Sequence, residues 1–559
     1  MDSFVEKRAN SIAALVGIVV LGLVFWRLMP TLPSVMQDEL VYMVQSRHTD
    51  PEDARFPNYL FSLVYSSTLL LGSEYYDFVK LLNFIFLAGF GIVVYLLAKK
   101  IFGLWMSMMI SAASVAGPAS LYGSVFMPEA MYMFFAGLSV FLVLKVPVAR
   151  LKDSWKFVLL AGFAMGLTTL VKPHALFLAT GIALFFVFSS EWRSLSSLNR
   201  ITNSGAFLAA TLFVKLLGGF LLAGANGVTL FGGYGSVSSL LNRFIGLLTQ
   251  GPVPSAPTGA GETATDLSMS FLELTVQQFG LHLVAIGFLL APAWYIFFAT
   301  KFSVSSPIAE LALITLAVMM VVISVFGAYV TIGGDDHTNR VLLRYYEFLI
   351  PIVYLGAFHV LKQKHPTGLI KFVFFGIFTT IAILIAATDM GSLDLKISDS
   401  AYLLGIFDNP DQLLLYSAAL IVTFLFILGG PVKLAQYTAA TVSFAILLTG
   451  YSVQQNQLDI NGTLIGSDFA GQYVRDQLAD VPGEEIFVVG SSKTLVEASI
   501  FWMDRSGVTF ATYTSGSRLP ESEIPEGKSV IVQILDVQLI EGGGPDVIRD
   551  DWQITIRRP

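Results

Sequence analysis

The 559-residue sequence predicts a polytopic α-helical membrane protein of about 13 transmembrane helices, closed by a small α/β domain. Three observations predict it. Hydrophobic residues make up 55% of the chain and charged residues 13%, about half the charged share of a soluble protein. Mean hydropathy is +0.70, and the apolar residues gather in runs near the about 20 residues that a bilayer core requires. Beyond residue 453 the pattern changes to short alternating strand-like and helix-like segments.

This composition leaves too little polar sequence to cover several soluble domains, which excludes a soluble enzyme, a disordered chain and a fibrous one. Cysteine is absent, so there is no disulfide, thiolate metal site or thiol nucleophile. The net charge is −7, and without a basic stripe a nucleic-acid partner is not expected.

The expected spans are roughly 11–29, 79–97, 104–120, 127–144, 157–171, 175–189, 205–224, 276–299, 309–330, 346–361, 372–388, 412–429 and 434–453. Segment 57–72 is apolar but shorter and reads as re-entrant or interfacial. The first span is no cleavable signal: its apolar run is long, and Trp26 and Arg27 suit an interfacial anchor. With Lys7 and Arg8 cytoplasmic, the other inside loops hold Lys99, Lys100, Lys145, Arg150, Lys152, Lys156, Arg193, Arg200, Lys301, Lys362, Lys364, Lys371 and Lys433. The longer outside loops hold only Arg47, Arg55, Lys172, Arg243, Arg340, Arg344 and Lys396. That bias supports a multi-pass plasma-membrane protein with a cytoplasmic N-terminus. An odd number of spans then divides the chain into a membrane domain, 1–453, and an extracytoplasmic α/β domain, 454–559. In the latter, strands are expected at 485–490, 507–512 and 528–535 and helices at 467–479 and 493–504. The stretch 251–266 reads as a mobile outer loop.

Charged residues in such a chain call for a reason. Asp38 and Glu39 stand in the first outer loop between apolar neighbours Val35, Met36, Leu40, Val41 and Tyr42. They read either as a solvated acidic pair or as acids pinned at the bilayer surface by an interfacial helix. Adjacent carboxylates point different ways, so one can serve a reacting group while the other binds a metal, a sugar hydroxyl or a helix end. Glu129 opens the fourth span behind Pro128, as a helix-end acid or as a site carboxylate. Lys172-Pro173-His174 is a tight outer turn whose lysine either snorkels or meets a lipid phosphate. In TIGGDDHTNRVLLRYYEFLIP (331–351), Arg340 and Arg344 are four apart and share a face if helical. Arginine grips phosphate through a planar fork, and outer-face arginines run against the orientation bias. Tyr345, Tyr346 and Glu347 sit beside them. Asp335, Asp336 and His337 are able to ligate a divalent ion, although three polar neighbours are common in loops. Lys215 falls mid-span, where it either faces a cavity or marks a wrong boundary. The N-G-T at 461–463 is a glycosylation acceptor only in a secretory-pathway host. The GSSKT at 490–494 lacks P-loop glycine spacing and reads as an ordinary β–α turn.

All the candidate groups meet the outer face. That suits a reaction between a membrane-borne phosphate and an acceptor arriving from outside, with a carboxylate taking a hydroxyl proton and cations holding the phosphate. QDELVYM, FPNYLFSLVYSSTLLLG, LAKKIFG, MPEAMYMFF, LTTLVKPHAL and RVLLRYYEFLIP occur in this order over about residues 10–360. In order and placement they resemble the GT-C superfamily of glycosyltransferases, in particular the protein O-mannosyltransferase and lipid A aminoarabinose transferase group. The resemblance implies an inverting transfer from a polyprenyl-phosphate sugar to a glycan, lipid or protein acceptor among membrane lipids. It implies Asp38 as catalytic base with Glu39 its neighbour, and Lys172, Arg340 and Arg344 as lipid-phosphate ligands. Glu129, His174, Tyr345 and Glu347 then line the substrate. The resemblance leaves a divalent cation open and does not require one. Three other readings remain at this point: a secondary transporter or lipid flippase, a receptor-like membrane protein acting through its C-terminal domain, and an oligosaccharide transferase or polymer ligase of related architecture with a diphosphate-linked glycan donor.

Overall fold

The computed structural model describes residues 2–34, 37–147, 151–231, 271–300, 306–332, 339–363, 399–407, 411, 413, 416–418, 434–534, 538–539, 546–549 and 551–557. The expected spans 372–388 and, in large part, 412–429 lie outside the described residues, as do the stretch 251–266 and Asp335, Asp336 and His337.

In chain order the helices are α1 (Asp2–Leu28), α2 (Gln37–His48), α3 (Tyr59–Tyr65), α4 (Tyr75–Ala98), α5 (Leu104–Ala116), α6 (Glu129–Val143), α7 (Leu151–Val171), α8 (Ala175–Phe188) and α9 (Ser197–Ala223). They continue with α10 (Phe271–Leu289), α11 (Ala291–Ala299), α12 (Pro307–Ile332), α13 (Leu349–Gln363), α14 (Ala401–Phe407), α15 (Leu434–Asn461), α16 (Gly466–Gln477) and α17 (Lys493–Met503). Five described stretches are long and apolar enough to cross a membrane: Tyr59–Ala98, Ser154–Val171, Ser197–Gly227, Phe271–Leu289 and Pro307–Thr331. Leu15–Leu28, α5, α6, α8 and α13 are shorter apolar helices. Their outward residues are apolar, among them Ile18, Leu23, Ile85, Ile92, Phe213, Leu221 and Val276. Such a surface matches hydrocarbon rather than water.

Several boundaries differ from expectation: α1 begins at Asp2 rather than near 11, and α9 at Ser197 rather than near 205. Segment 57–72 forms α3 and then a 3-10 turn, Ser66–Glu74, that runs into α4. The span expected at 276–299 breaks between α10 and α11. Pro292 sits in the first turn of α11, because proline has no N–H to give and its ring crowds the carbonyl four residues back. The last long helix, α15, runs on to Asn461, past the division expected at 453.

Between lipid-bathed helices there is little hydrophobic drive, so close packing has to supply cohesion. Gly162 and Gly166 of α7, one turn apart, serve this. A Cβ on Gly166 would stand 2.4 Å from the Val214 Cβ, and one on Gly162 would stand 2.6 Å from the Phe207 carbonyl oxygen. Only glycine lets α9 come this near. The contact seats Lys215 inside the protein, where its Nζ donates to the carbonyls of Pro57 at 3.1 Å and Thr169 at 3.3 Å. Lys215 thus lies within α9 and faces backbone carbonyls.

The C-terminal segment forms a five-stranded sheet in the order β2-β1-β4-β7-β6. Its strands are β1 (Ile486–Gly490), β2 (Thr509–Thr512), β4 (Val530–Ile534), β6 (Val547–Ile548) and β7 (Trp552–Ile556), while β3 (Arg518–Leu519) and β5 (Gln538–Leu539) form a separate parallel pair. β1 runs parallel to β2 and β4, and β7 antiparallel to β4 and β6. Strand β1 reads IFVVG and is buried throughout, as an interior parallel strand requires.

This segment docks on α2. Arg47 reaches Asp504 through Nε–Oδ1 at 2.8 Å and Nη2–Oδ2 at 2.5 Å, and His48 Nε2 lies 2.7 Å from Asp504 Oδ1. Asp504 ends α17 in the left-handed region at φ 54°, which short polar side chains tolerate better than others. Arg47 also donates to Thr68 Oγ1 at 2.8 Å and lies over the Tyr75 ring at 4.0 Å. Tyr75 in turn donates its hydroxyl to the Phe501 carbonyl at 3.3 Å.

Candidate active site

The acids of the first outer loop begin α2, where the unpaired N–H groups of a helix start favour negative charge. Successive helical residues diverge by about 100°, and this separates the two carboxylates. Glu39 is fully buried. Its Oε1 accepts the Phe126 N–H at 2.7 Å and the Tyr76 hydroxyl at 3.2 Å, pinning α2 to α4 and to the loop before α6. The Asp38 side chain is 39% exposed. Of the pair expected to share catalysis, Asp38 alone opens outward, and Glu39 holds the helix that carries it. Glu39→Ala leaves the buried Phe126 N–H without its acceptor, while the Tyr76 hydroxyl keeps the Ser124 carbonyl at 2.5 Å. It should cost about 1–3 kcal/mol and lower the thermal-unfolding midpoint, while Glu39→Gln, which keeps an amide oxygen, should lose less. Equal midpoints for the two variants would refute this role.

Arg344 meets Asp38. It lies in a 3-10 turn, Leu343–Tyr345, rather than on a helix, and its Nη2 donates to Asp38 Oδ2 at 2.8 Å. The two arginines expected on one helical face converge by another route, through Asp399. Arg340 Nε donates to Asp399 Oδ2 at 2.9 Å, with a second bond from its Nη2. Arg344 Nε stands 3.5 Å from Asp399 Oδ1, and the Arg344 backbone N–H donates to the Asp399 carbonyl at 2.9 Å. Sequence reasoning missed Asp399. A weak signal was there: Asp399 and Ser400 directly precede the apolar helix α14, where polar residues commonly cap a helix start.

Lys172 follows the last residue of α7, and its ammonium lies 2.6 Å from Glu129 Oε1. Both side chains are buried. The ammonium stands over the Tyr345 ring at 4.5 Å and the Tyr132 ring at 5.6 Å, and Arg344 Cζ lies 5.2 Å from the Tyr345 centroid. Tyr345 thus separates two cations whose charge its ring face stabilises. The Tyr345 carbonyl accepts the Tyr132 hydroxyl at 3.0 Å. His174 packs on Tyr345 and Phe326, with centroids 4.6 Å and 5.3 Å apart. Burial, with Lys172 and Arg344 nearby, pushes His174 down to about 3, so it is a neutral wall rather than a cation. Glu347 turns inward and accepts the Tyr122 hydroxyl at 2.8 Å through Oε2.

For Asp38, burial acts to raise the carboxyl and Arg344, backed by Lys172 and Arg340, acts to lower it. The cations win, and Asp38 is held below its ordinary value. The site therefore presents one outward carboxylate, ionised at neutral pH, against a cluster of three cations braced by buried acids. Among the described residues no group of three His, Asp or Glu side chains is placed to hold a metal ion. The arrangement can take a proton at Asp38 and neutralise an anion beside it.

No known protein family and no curated protein matches the chain. Among solved structures the chain is similar to ArnT from Cupriavidus metallidurans bound to undecaprenyl phosphate, with 14% identity over 98% of this chain and 97% of that one and a TM-score of 0.49. It is also similar to the oligosaccharyltransferase AglB from Archaeoglobus fulgidus in complex with an inhibitory peptide and a dolichol-phosphate. There the identity is 11% over 93% of this chain and 69% of that one, with a TM-score of 0.43.

Proposed function

We propose that this chain is an inverting glycosyltransferase that moves a sugar from a polyprenyl-phosphate donor to an acceptor hydroxyl at the outer membrane face. The observation that carries the reading is the 2.8 Å pair between Asp38, the outward acid, and Arg344, with Lys172 and Arg340 in the same cluster. Asp38 accepts the acceptor's hydroxyl proton as that oxygen bonds to the anomeric carbon. The bond from that carbon to the phosphate oxygen breaks on the opposite face, and its electron pair stays on the phosphate. The leaving group becomes a polyprenyl phosphate monoester carrying one more negative charge, which cations must meet. The oxocarbenium-like character of glycosyl transfer makes that neutralisation count most in the transition state. Tyr345 and His174 back the sugar from behind the cations, while Glu129, braced by Lys172, and Glu347, bonded to Tyr122, support them from the buried side. The topology that serves this chemistry has a cytoplasmic N-terminus and the C-terminal sheet outside. A divalent cation is not required.

The test is reconstitution. The purified chain in proteoliposomes, given undecaprenyl-phosphate-linked monosaccharides with water or simple alcohols as acceptors, should release undecaprenyl phosphate without any ion gradient. Gradient-dependent movement of intact donor, with no bond cleaved, would indicate a transporter instead.

A further inference from the structure

The three cations are already engaged, and their partners differ in how accessible they are. Lys172 is paired with buried Glu129. Arg340 is paired twice with Asp399, whose side chain is 1% exposed. Arg344 is shared: on the buried side the Asp399 carboxylate lies 3.5 Å from Nε, an ion contact without a hydrogen bond, and the Asp399 main-chain carbonyl accepts the Arg344 backbone N–H, while on the open side Asp38 accepts from Nη2. An incoming phosphate needs a cation and can reach one only where a partner yields. Extracting a buried carboxylate from its cations leaves an uncompensated charge, whereas a 39%-exposed one passes into water cheaply. We propose that Asp399 is the positioning residue that fixes Arg344 for the donor, and that the donor's phosphate takes the place of Asp38 on Arg344. This rests on the glycosyl-transfer reading and deepens it.

The consequence is a base armed by its own substrate. Without donor, Arg344 neutralises Asp38 and weakens it as a proton acceptor. With donor bound, Asp38 loses that cation and gains an anionic neighbour, so its proton affinity rises at the moment an acceptor needs deprotonating. The groups facing Asp38 are Arg344, Arg340 and Tyr345, Lys172 and His174 from the turn after α7, and Glu497 from α17. Arg344 stays on Asp399 with the rest, and only the Asp38 side chain leaves its partner in the exchange.

The probe is undecaprenyl methyl phosphate, a diester without ionisation of its own between about pH 5 and 8, set against soluble dimethyl phosphate. Wild-type protein should bind the lipid diester severalfold more tightly at about pH 5 than at about pH 8. Asp38→Asn should bind it about tenfold more tightly than wild type at about pH 8 and lose the pH dependence, because the competing anion is gone. Asp399→Asn should bind about tenfold more weakly, with Asp399→Glu recovering part of the loss. Should Asp399→Asn fail to fold, the Asp38→Asn arm decides. If wild type binds the lipid diester and Arg344→Ala does not, yet Asp38→Asn matches wild type at both pH values, the exchange is wrong and the glycosyl-transfer reading stands. If wild type binds no lipid diester, both fall. Equal affinity for dimethyl phosphate would overturn the assignment of the exchanged anion to a lipid.

Discussion

If the proposed function holds, Asp38→Asn should lower sugar transfer by about 10³-fold and leave the protein folded. The amide is nearly isosteric with the carboxylate but takes no proton, and a positioned general base contributes about 10²–10⁴ in rate. The side chain is 39% exposed, so its replacement opens no cavity, and Arg344 keeps Asp399 as a partner. The measurement is single-turnover release of undecaprenyl phosphate in proteoliposomes, alongside the thermal-unfolding midpoint. A folded variant turning over within threefold of wild type would remove Asp38 from the mechanism, and with it the geometric basis of the proposed function.

Arg344→Ala should cost about 10²–10³ in transfer, the range seen when one donor to a developing anion is removed. A second effect separates it from a merely structural loss. On the proposed reading Asp38 works as the carboxylate; burial alone would raise its proton affinity, while Arg344 supplies the main opposing pull. In wild type kcat/KM, which reports the donor-free enzyme, therefore holds until the pH falls through a value below the ordinary carboxylate range. Without Arg344 the same titration moves upward, so the acid limb of kcat/KM against pH should start to fall at higher pH. Arg344→Lys restores charge without the planar fork and should lie between the two. An acid limb unchanged in Arg344→Ala would mean that Arg344 does not set the state of Asp38.

Much of the helical framework was legible because an apolar run long enough for a bilayer has few other uses. The run 309–330 matches Pro307–Ile332, which is long enough to cross, while 175–189 and 127–144 match the shorter helices Ala175–Phe188 and Glu129–Val143. In the C-terminal sheet, the strands expected at 485–490 and 528–535 match Ile486–Gly490 and Val530–Ile534. The break at Pro292 was hidden by apolar sequence on both sides of it. Lys172, Arg340 and Arg344 stood out because charge beside apolar sequence is expensive. Their partners did not, since pairing is settled by packing between distant segments. Asp399 joins Arg340 across 59 positions, and Glu39 meets the Phe126 N–H across 87. The different tasks of Asp38 and Glu39 were foreseeable in kind, from the angle between neighbours on a helix. Which of the two would turn inward depended on where Tyr76 and Phe126 lie.

The clasp of Asp504 on Arg47 and His48 bears on how the molecule is assembled. It joins residues 457 positions apart, so α2 cannot receive this brace until nearly the whole intervening chain has been made. Closing so distant a contact is slow. The helix bearing Asp38 thus gains its last support late in maturation, and a nascent chain lacking residue 504 holds its membrane helices before it holds a finished centre.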